Sequence, residues 1–387
     1  MIPPHVGSYV TYLRLPTPVI LPVQTLAFIY MGVLFFDYFL IKTVPTTTRQ
    51  TKIILHVFIA TYHFILPIFI ASKYDFGNIS FMVQPWILAA QIIYLANKKQ
   101  IADIKSNKNS TLVAFKGWIT QLVKIATFQD ESKANLSKQQ IRIRGLKKTV
   151  RGLAKFAFMK LLLDPVILPK NLSTILKYPF YSFKALYLTY ALGWKIYCMM
   201  SVTDIIMGVA QAITLIRFND VFDNPFMSTS RRWNRPVSRL YHQFIFTQFT
   251  RKQLVDVKKS DEFRKLQAIK HQTSIFSLDP TICGFLVFLL SGIIHDFMIA
   301  AAARIITFEL TLFFLIHGAA VAVEVQTIKM RRKAHNNQYN HSNHRWTVIA
   351  SRVIRIILTT LFFLITGRLF INPILQQEVF LRVARQF

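Results

Sequence analysis

Long apolar runs alternate with polar and basic stretches along the whole chain. A helix needs about 20 apolar residues to cross the roughly 30 Å of hydrocarbon in a bilayer. The first part of the chain holds three runs of about that length, at residues 20–41, 53–71 and 79–96. Because a helix satisfies its own backbone hydrogen bonds inside lipid, each run predicts a transmembrane helix.

The pattern changes between residues 98 and 160, where lysines and arginines interrupt the apolar positions. Residues 111–128 and 153–169 are amphipathic rather than uniformly apolar. A helix with an apolar face and a basic face lies in the plane of the membrane interface. We therefore expect a cytosol-facing region here, with interfacial helices.

The apolar pattern resumes at residues 178–216, a length sufficient for two spans with a break between Lys195 and Asp204. Three further runs close the chain, at residues 282–303, 305–325 and about 348–371. The pattern as a whole predicts an all-α fold, a polytopic transmembrane helical bundle of about eight or nine spans with interfacial amphipathic helices.

Composition supports a membrane protein. The 387 residues are 53% hydrophobic and include 34 phenylalanines, more than a soluble domain of this length usually carries. Formal net charge is +30, which in a soluble protein would suggest nucleic acid as a partner. Here the basic residues lie between the apolar runs, where they contact lipid headgroups and set topology. We expect membrane lipids rather than nucleic acid as partners.

The N-terminus lacks the pattern of a cleaved signal peptide, so the first span is expected to be an uncleaved anchor. This fits a multi-pass protein of the endoplasmic reticulum. The two cysteines, Cys198 and Cys283, lie in apolar runs and are expected to be small buried hydrophobes.

The segment SGIIHD places His295 and Asp296 inside the run at residues 282–303. An ionisable group at that depth is costly and normally faces the bundle interior or a cavity. A neutral imidazole there can take a proton from a hydroxyl, as a general base does. A histidine that only hydrogen-bonds a neighbouring helix explains the residue equally well. Asp296 points about 100° away, and we expect it to pair with a lysine or arginine elsewhere.

A second candidate cluster is the RRWN segment, in a polar loop between apolar runs. Arg231 and Arg232 can bind phosphates in bidentate fashion, and Trp233 suits the membrane interface. Asn234 offers both a donor and an acceptor to a carbonyl or an oxyanion. The alternative is a basic cluster that only sets topology.

The segment FFLIHGAAVAVE places His317 and Glu324 near one face of a helix, about two turns apart. Glu324 is expected at the membrane boundary. The loop HNNQYNHSNH, at residues 335–344, holds three histidines, but its asparagines and loose spacing favour a hydrated loop. We expect no metal site.

Taken in order, NPFMSTS, RRWN, SGIIHD, FFLIHGAAVAVE and TGRLFINP resemble the wax synthase-like branch of the membrane-bound O-acyltransferase superfamily. The resemblance covers about residues 180–375. It implies transfer of an acyl group from acyl-CoA to the hydroxyl of a lipophilic alcohol: a long-chain alcohol, a sterol or a terpenoid. Acyl-CoA is then a co-substrate, and no other cofactor is implied.

The resemblance also implies roles for particular residues. His295 matches the catalytic histidine of the family, and Asn234 matches its second signature position. Candidate substrate-binding residues are Arg231, Arg232, Trp233 and His317. The chain then divides into N-terminal transmembrane helices (1–97), a basic cytosolic or interfacial region (98–177), the acyltransferase core (178–375) and a C-terminal tail (376–387).

Two other readings stay open. In this chain Ser230 directly precedes Arg231, whereas family members carry further residues between these positions. An inactive paralogue with a shortened RRWN motif is therefore one alternative. A non-catalytic membrane transporter or scaffold, in which buried His, Asp and Glu conduct protons or tie helices together, is the other. Oligomeric state cannot be read from the sequence.

Overall fold

The computed structural model of the 387-residue chain describes most of its apolar helices. The residues it describes are 12–44, 49–74, 77–78, 88–89, 92, 111–126, 136–167, 178–220, 279–335 and 345–376.

Nine main helices account for most of these described residues. They are α1 (Val23–Thr43), α2 (Arg49–Phe69), α3 (Thr111–Ala126), α4 (Lys138–Phe158), α5 (Phe183–Met200), α6 (Val202–Thr214), α7 (Pro280–Ala303), α8 (Glu309–His335) and α9 (Arg345–Gln376). Helix α4 continues through a π-helical turn, Met159–Leu163, and one further helical turn, Asp164–Val166. Four two-residue strands are β1 (Leu13–Arg14), β2 (Val19–Ile20), β3 (Ile70–Ala71) and β4 (Ile305–Ile306).

Within the described residues, five helical segments are long and apolar enough to cross a membrane. They are α1, α5 together with α6 (Phe183–Thr214), α7 (Thr281–Ala303), the first part of α8 (Glu309–Thr327) and the last part of α9 (Ile356–Gln376). The apolar part of α2, Ile54–Phe69, is shorter. An all-α, multi-pass membrane protein is thus confirmed. Most of the predicted span at residues 79–96 lies outside the described residues.

The predicted break between Lys195 and Asp204 is confirmed. Helix α5 ends at Met200, and Ser201 separates it from α6. At 1.5 Å per residue, the 13 residues of α6 extend about 20 Å, which is less than the thickness of the hydrocarbon. Helix α6 is therefore too short to form a second span by itself.

Two short strand pairs gather four helix ends at one place. Strand β1 pairs antiparallel with β4, and β2 pairs parallel with β3. Arg304 has a left-handed backbone and donates hydrogen bonds to the carbonyls of Pro16 and Ile68. The start of α1, the end of α2, the end of α7 and the start of α8 therefore lie on the same side of the bundle.

The predicted span at residues 305–325 begins later than expected. Ile305 and Ile306 form β4 instead of helix, and α8 starts at Glu309. The physical reason is the pairing with β1, which holds this apolar dipeptide in extended conformation. Apolar character alone does not distinguish a helical from an extended residue in so short a segment.

Glycines let α7 and α8 approach closely. A Cβ atom on Gly292 of α7 would lie 2.6 Å from Thr311 Cα on α8. On α8, a Cβ atom on Gly318 would lie 3.0 Å from Phe288 Cβ on α7. Small residues at such crossings allow tight packing where lipid offers no hydrophobic driving force. The SGIIHD segment is thus held firmly against α8.

Two large apolar clusters, with a small third one of Ala302 on α7 and Ile374 on α9, form the described core. The first joins α1, α2 and α3, and the second joins α5 and α9 with the end of the α4 extension. Phe64 of α2 and Phe297 of α7, with ring centroids 4.5 Å apart, connect α2 to the α7–α8 pair.

Candidate functional site

His295 lies on α7 with its imidazole held in one orientation. Its Nδ1 is 2.6 Å from the carbonyl oxygen of Ser291, one turn earlier on the same helix. Because a carbonyl oxygen can only accept, Nδ1 carries the hydrogen in this bond. In the neutral ring, the lone pair is therefore on Nε2. Within the described part of the chain, no hydrogen bond reaches that atom.

The surroundings of His295 are aromatic. Its ring centroid is 4.6 Å from that of Phe314 on α8 and 6.0 Å from that of Phe370 on α9. The side chain is half-buried. Three helices thus converge on one imidazole, whose free nitrogen sits in an environment that excludes most water.

His317, on α8, repeats this arrangement. Its Nδ1 donates to the carbonyl of Phe313 over 2.8 Å, so its Nε2 also carries a lone pair. The residue is only 8% exposed, and among the described residues Nε2 has no hydrogen-bond partner. Phe313, Phe362 and Phe363 surround the ring, with centroids 4.0, 4.8 and 4.7 Å away.

Phenylalanines connect the two histidines. Phe313 contacts Phe314 and Phe370, with ring centroids 5.3 and 5.2 Å apart, and both of these rings contact His295. His295 and His317 therefore belong to one aromatic cluster between α7, α8 and α9. We call this group of two histidines with Phe313, Phe314 and Phe370 the histidine cluster.

Asp296 has a partner other than the one expected. Its Oδ2 accepts from the backbone N–H of Thr311 over 2.9 Å and from the Thr311 hydroxyl. This satisfies one of the free amides in the first turn of α8, as a capping side chain does. The predicted pairing with a lysine or arginine is wrong, and Asp296 instead fastens α7 to α8.

Two buried ionisable residues, Glu309 and Arg368, lie near Asp296, and the sequence interpretation missed them. Their exposed fractions are 8% and 6%. Arg368 donates to the carbonyl of Tyr178 over 2.8 Å and lies over the ring of Phe180. An arginine within the apolar part of TGRLFINP was the available signal for this contact.

A second buried acid–base pair lies in the N-terminal helices. His63 Nε2 on α2 is 2.9 Å from Asp37 Oδ2 on α1, and the two side chains are 1% and 0% exposed. Asp37 Oδ1 and His63 Nδ1 have no hydrogen-bond partner among the described residues. Each residue lies singly in an apolar run, and the cost argument applied to His295 would have found both.

The other predicted site residues lie outside the described residues. These are Arg231, Arg232, Trp233 and Asn234, so the structure does not test their position relative to His295. In the described ranges, no group of three or more His, Cys, Asp and Glu residues could hold a metal ion. A search of protein-family models and of curated proteins finds no match to this chain.

Proposed function

We propose that the protein is a membrane-embedded O-acyltransferase that moves an acyl group from acyl-CoA to a lipophilic alcohol. The observation that carries the proposal is the state of His295. Its Nδ1 is fixed by the Ser291 carbonyl, and its Nε2 is left without a partner in the described part of the chain, within a mostly apolar site. A general base needs a positioned lone pair of this kind.

The chemical step follows from that lone pair. His295 Nε2 takes the proton of the alcohol as its oxygen attacks the thioester carbonyl carbon. The carbon–sulfur bond then breaks, and the imidazolium returns the proton to the departing CoA thiolate. The phenylalanines of the histidine cluster exclude water, which would otherwise hydrolyse the thioester.

Substrate contacts are assigned to residues around this step. His317 Nε2, also a free acceptor, is suited to a hydroxyl of the alcohol. Asn234 would stabilise the oxyanion, Arg231 and Arg232 would bind the phosphates of CoA, and Trp233 would lie at the interface beside them. These four assignments rest on the resemblance to the wax synthase-like acyltransferases.

The proposal includes the wider organisation predicted from the sequence. It comprises eight or nine spans, interfacial helices within residues 98–177, and residence in the endoplasmic reticulum. Such an arrangement would bring a lipid alcohol from the bilayer and acyl-CoA from the cytosol to one histidine.

The test is ester formation by membranes that contain the His295→Ala variant. Labelled acyl-CoA is supplied with long-chain alcohols, sterols and terpenoid alcohols in turn. Loss of a general base should reduce the rate about 100- to 10,000-fold. A Ser291→Ala variant is the matched control, because it keeps the backbone carbonyl that orients Nδ1 and should stay active. Ester formation that is unchanged in His295→Ala would refute the proposal.

One observation supports a transporter or scaffold as the second candidate. The Asp37–His63 pair is an acid–base couple inside the bundle that the acyltransferase proposal does not use. Proton flux into proteoliposomes that is abolished by His63→Ala, together with no esterification of any alcohol, would favour this candidate. Absence of both activities would favour the inactive paralogue.

A further inference from the structure

Helices α4 and α6 pack tightly against each other in antiparallel orientation, with α5 between them in the chain. We call this pair of helices the α4–α6 hairpin. A Cβ atom on Gly145 would lie 2.7 Å from the carbonyl oxygen of Gly208, and one on Gly208 would lie 2.7 Å from the backbone nitrogen of Thr149. Further along, Gly152 packs in the same way against Ile205 and Ser201. These contacts leave no room for side chains between the helices, so the hairpin behaves as one unit.

One side of the hairpin is apolar and exposed. On α4, Leu146, Val150 and Leu153 follow helical spacing, and Val150 is 64% exposed. On α6 the exposed stripe is Ile206, Val209 and Ile213, with Ile206 at 60%. Because the helices are antiparallel and face each other through the glycines, helical periodicity places both stripes on the same side.

Three cations of α4 form ion pairs with two carboxylates, Asp204 of α6 and Asp220. Arg151 contacts Asp204 and Asp220 at 3.2 Å each, Lys148 contacts Asp220 at 3.2 Å, and Lys155 contacts Asp204 at 3.7 Å. Burial opposes the ionisation of Asp220. The hydrogen bonds and charges of Arg151 and Lys148 outweigh burial and hold the pKa of this carboxyl below its ordinary value.

Beyond Lys138 in the first turn and Arg142, which donates to the Ala212 carbonyl, the remaining cations of α4 are Arg144 and Lys147. Both are exposed, and neither forms an ion pair or a hydrogen bond with any described residue. By helical periodicity they lie away from the apolar stripe, on the same side of α4 as Arg151. The hairpin therefore has an apolar side and a side with two uncompensated positive charges.

This geometry defines how the hairpin meets lipid. Helix α4 carries too many charges to cross a bilayer, and α6 packs along it and is too short to span alone. A helix pair with one apolar and one basic side is suited to the interface, with the apolar side at the acyl boundary and the cations at the headgroups. The candidate span Phe183–Thr214 contains both α5 and α6. Helix α5 alone has 18 residues, or about 27 Å, so it can cross most of the hydrocarbon and hold the hairpin at the membrane while α6 lies in the interface.

We propose that the α4–α6 hairpin lies in the membrane interface and binds anionic phospholipid headgroups through Arg144 and Lys147. Lipid is the occupant that fits, because its chains cover the apolar side and its phosphates compensate the two free cations. A second protein copy would have to supply both an apolar surface and acidic groups. This inference is independent of the proposed acyltransfer.

The experiment uses the full chain in lipid nanodiscs, with a fluorophore attached to a Val150→Cys variant. The native Cys198 and Cys283 are buried and free, so labelling favours the introduced thiol. Quenching by chain-nitroxide phosphatidylserine is compared with quenching by chain-nitroxide phosphatidylcholine at equal mole fraction. We expect quenching by both lipids, with a local preference for phosphatidylserine of up to about thirtyfold, since each of the two cations contributes about 1 kcal/mol.

Reversing the charge of Arg144 and Lys147 isolates the contribution of the lipid headgroups to the preference for phosphatidylserine. The Arg144→Glu/Lys147→Glu variant should lose the preference for phosphatidylserine while quenching by phosphatidylcholine persists. An Arg14→Glu/Lys73→Glu variant, which changes two exposed cations elsewhere, should keep the preference. Molar salt should abolish the preference of the unchanged protein, because it screens exposed charges.

Two outcomes would overturn the inference. If neither lipid quenches the fluorophore, protein rather than lipid covers the apolar side. If both lipids quench equally in the unchanged protein at low salt, the hairpin lies in lipid but does not bind anionic headgroups.

Discussion

Two histidines within the helical bundle, His295 and His63, differ in which ring nitrogen has a partner. His295 gives Nδ1 to its own helix and keeps Nε2 without a partner in the described part of the chain. His63 instead has its Nε2 against Asp37 on a neighbouring helix. The Nδ1 of His63 has no hydrogen-bond partner among the described residues. The two histidines thus differ in what fixes the ring: a backbone carbonyl of its own helix for His295, and a carboxylate that links α2 to α1 for His63.

The Asp37–His63 pair should therefore show a strong coupling in stability. Replacing either partner alone leaves an uncompensated ionisable group in the bundle, at a cost of about 3–5 kcal/mol. Replacing both by leucine removes that cost, so the double variant should be more stable than either single variant. The measurement is unfolding in detergent micelles of Asp37→Leu, His63→Leu and the double variant.

The comparison of single with double variants is decisive because each variant breaks the Asp37–His63 contact. Only the single variants leave one ionisable group without its partner. Destabilisations that simply add would show that the two groups do not interact energetically. In that case the pair would be a coincidence of packing and would not hold α1 to α2.

The positions of polar residues within the apolar helices can be predicted from the sequence more readily than the partners of their side chains. His295 and His317 stand out because each is polar within an apolar helix, and both lie where expected. The link from Asp296 to Thr311 depends on how α7 and α8 rotate against each other, and a single helix pattern does not contain that rotation. The same holds for Asp37 and His63, which are 26 residues apart.

The α7–α8 pair depends on backbone contact at Gly292, and this gives a sharp substitution test. Alanine there would place Cβ 2.6 Å from Thr311 Cα, so the helices must separate. We expect Gly292→Ala to destabilise the protein by about 1–3 kcal/mol, as overpacking does. Gly284→Ala, on the same helix, meets nothing within 4 Å and should be neutral or slightly stabilising.

The readout for this pair is thermal unfolding in detergent, supported by the rate of ester formation. Separation of α7 from α8 would also move Phe314 away from His295, so Gly292→Ala should lower that rate while Gly284→Ala does not. Equal stability of the two variants would mean that α7 and α8 do not pack as described.

Helices were easier to predict than their ends. The break at Ser201 could be read from the polar residues around it, and the apolar runs gave α1, α7 and α9. By contrast, the part of the predicted amphipathic segment from residue 153 to 166 belongs to a continuous helix from Lys138, which a π-helical turn at Met159–Leu163 carries onward. The capping box at Ser137 marks where that helix begins.

In the bundle as a whole, more basic residues lie at the described helix ends opposite the strand pairs than beside them, where Arg14, Lys73 and Arg304 lie. The strand pairs place the start of α1 and the end of α2 beside the end of α7 and the start of α8. At the opposite ends lie Lys42, Arg49 and the cluster KMRRK near the end of α8. The positive-inside rule therefore predicts that these more basic ends face the cytosol and that the strand pairs lie on the other side.

This predicted orientation sets the depth of His295 in the membrane. His295 is eight residues from the end of α7 at Ala303, or about 12 Å, and fifteen from its start at Pro280, or about 22 Å. For the proposed acyltransfer, an acyl thioester that enters from the basic side would have to reach past the middle of the bilayer. A lipid alcohol would have to move only within the membrane.

The orientation itself can be tested with single introduced cysteines and a membrane-impermeant maleimide. Thr43 at the end of α1 and Lys73 just after β3 are both exposed and lie at opposite ends of the bundle. In sealed vesicles with the cytosolic face outward, Thr43→Cys should react at once, whereas Lys73→Cys should react only after permeabilisation. The native cysteines are buried and give the background signal. Reaction of Lys73→Cys in sealed vesicles would reverse the orientation, and acyl-CoA would then have the shorter path to His295.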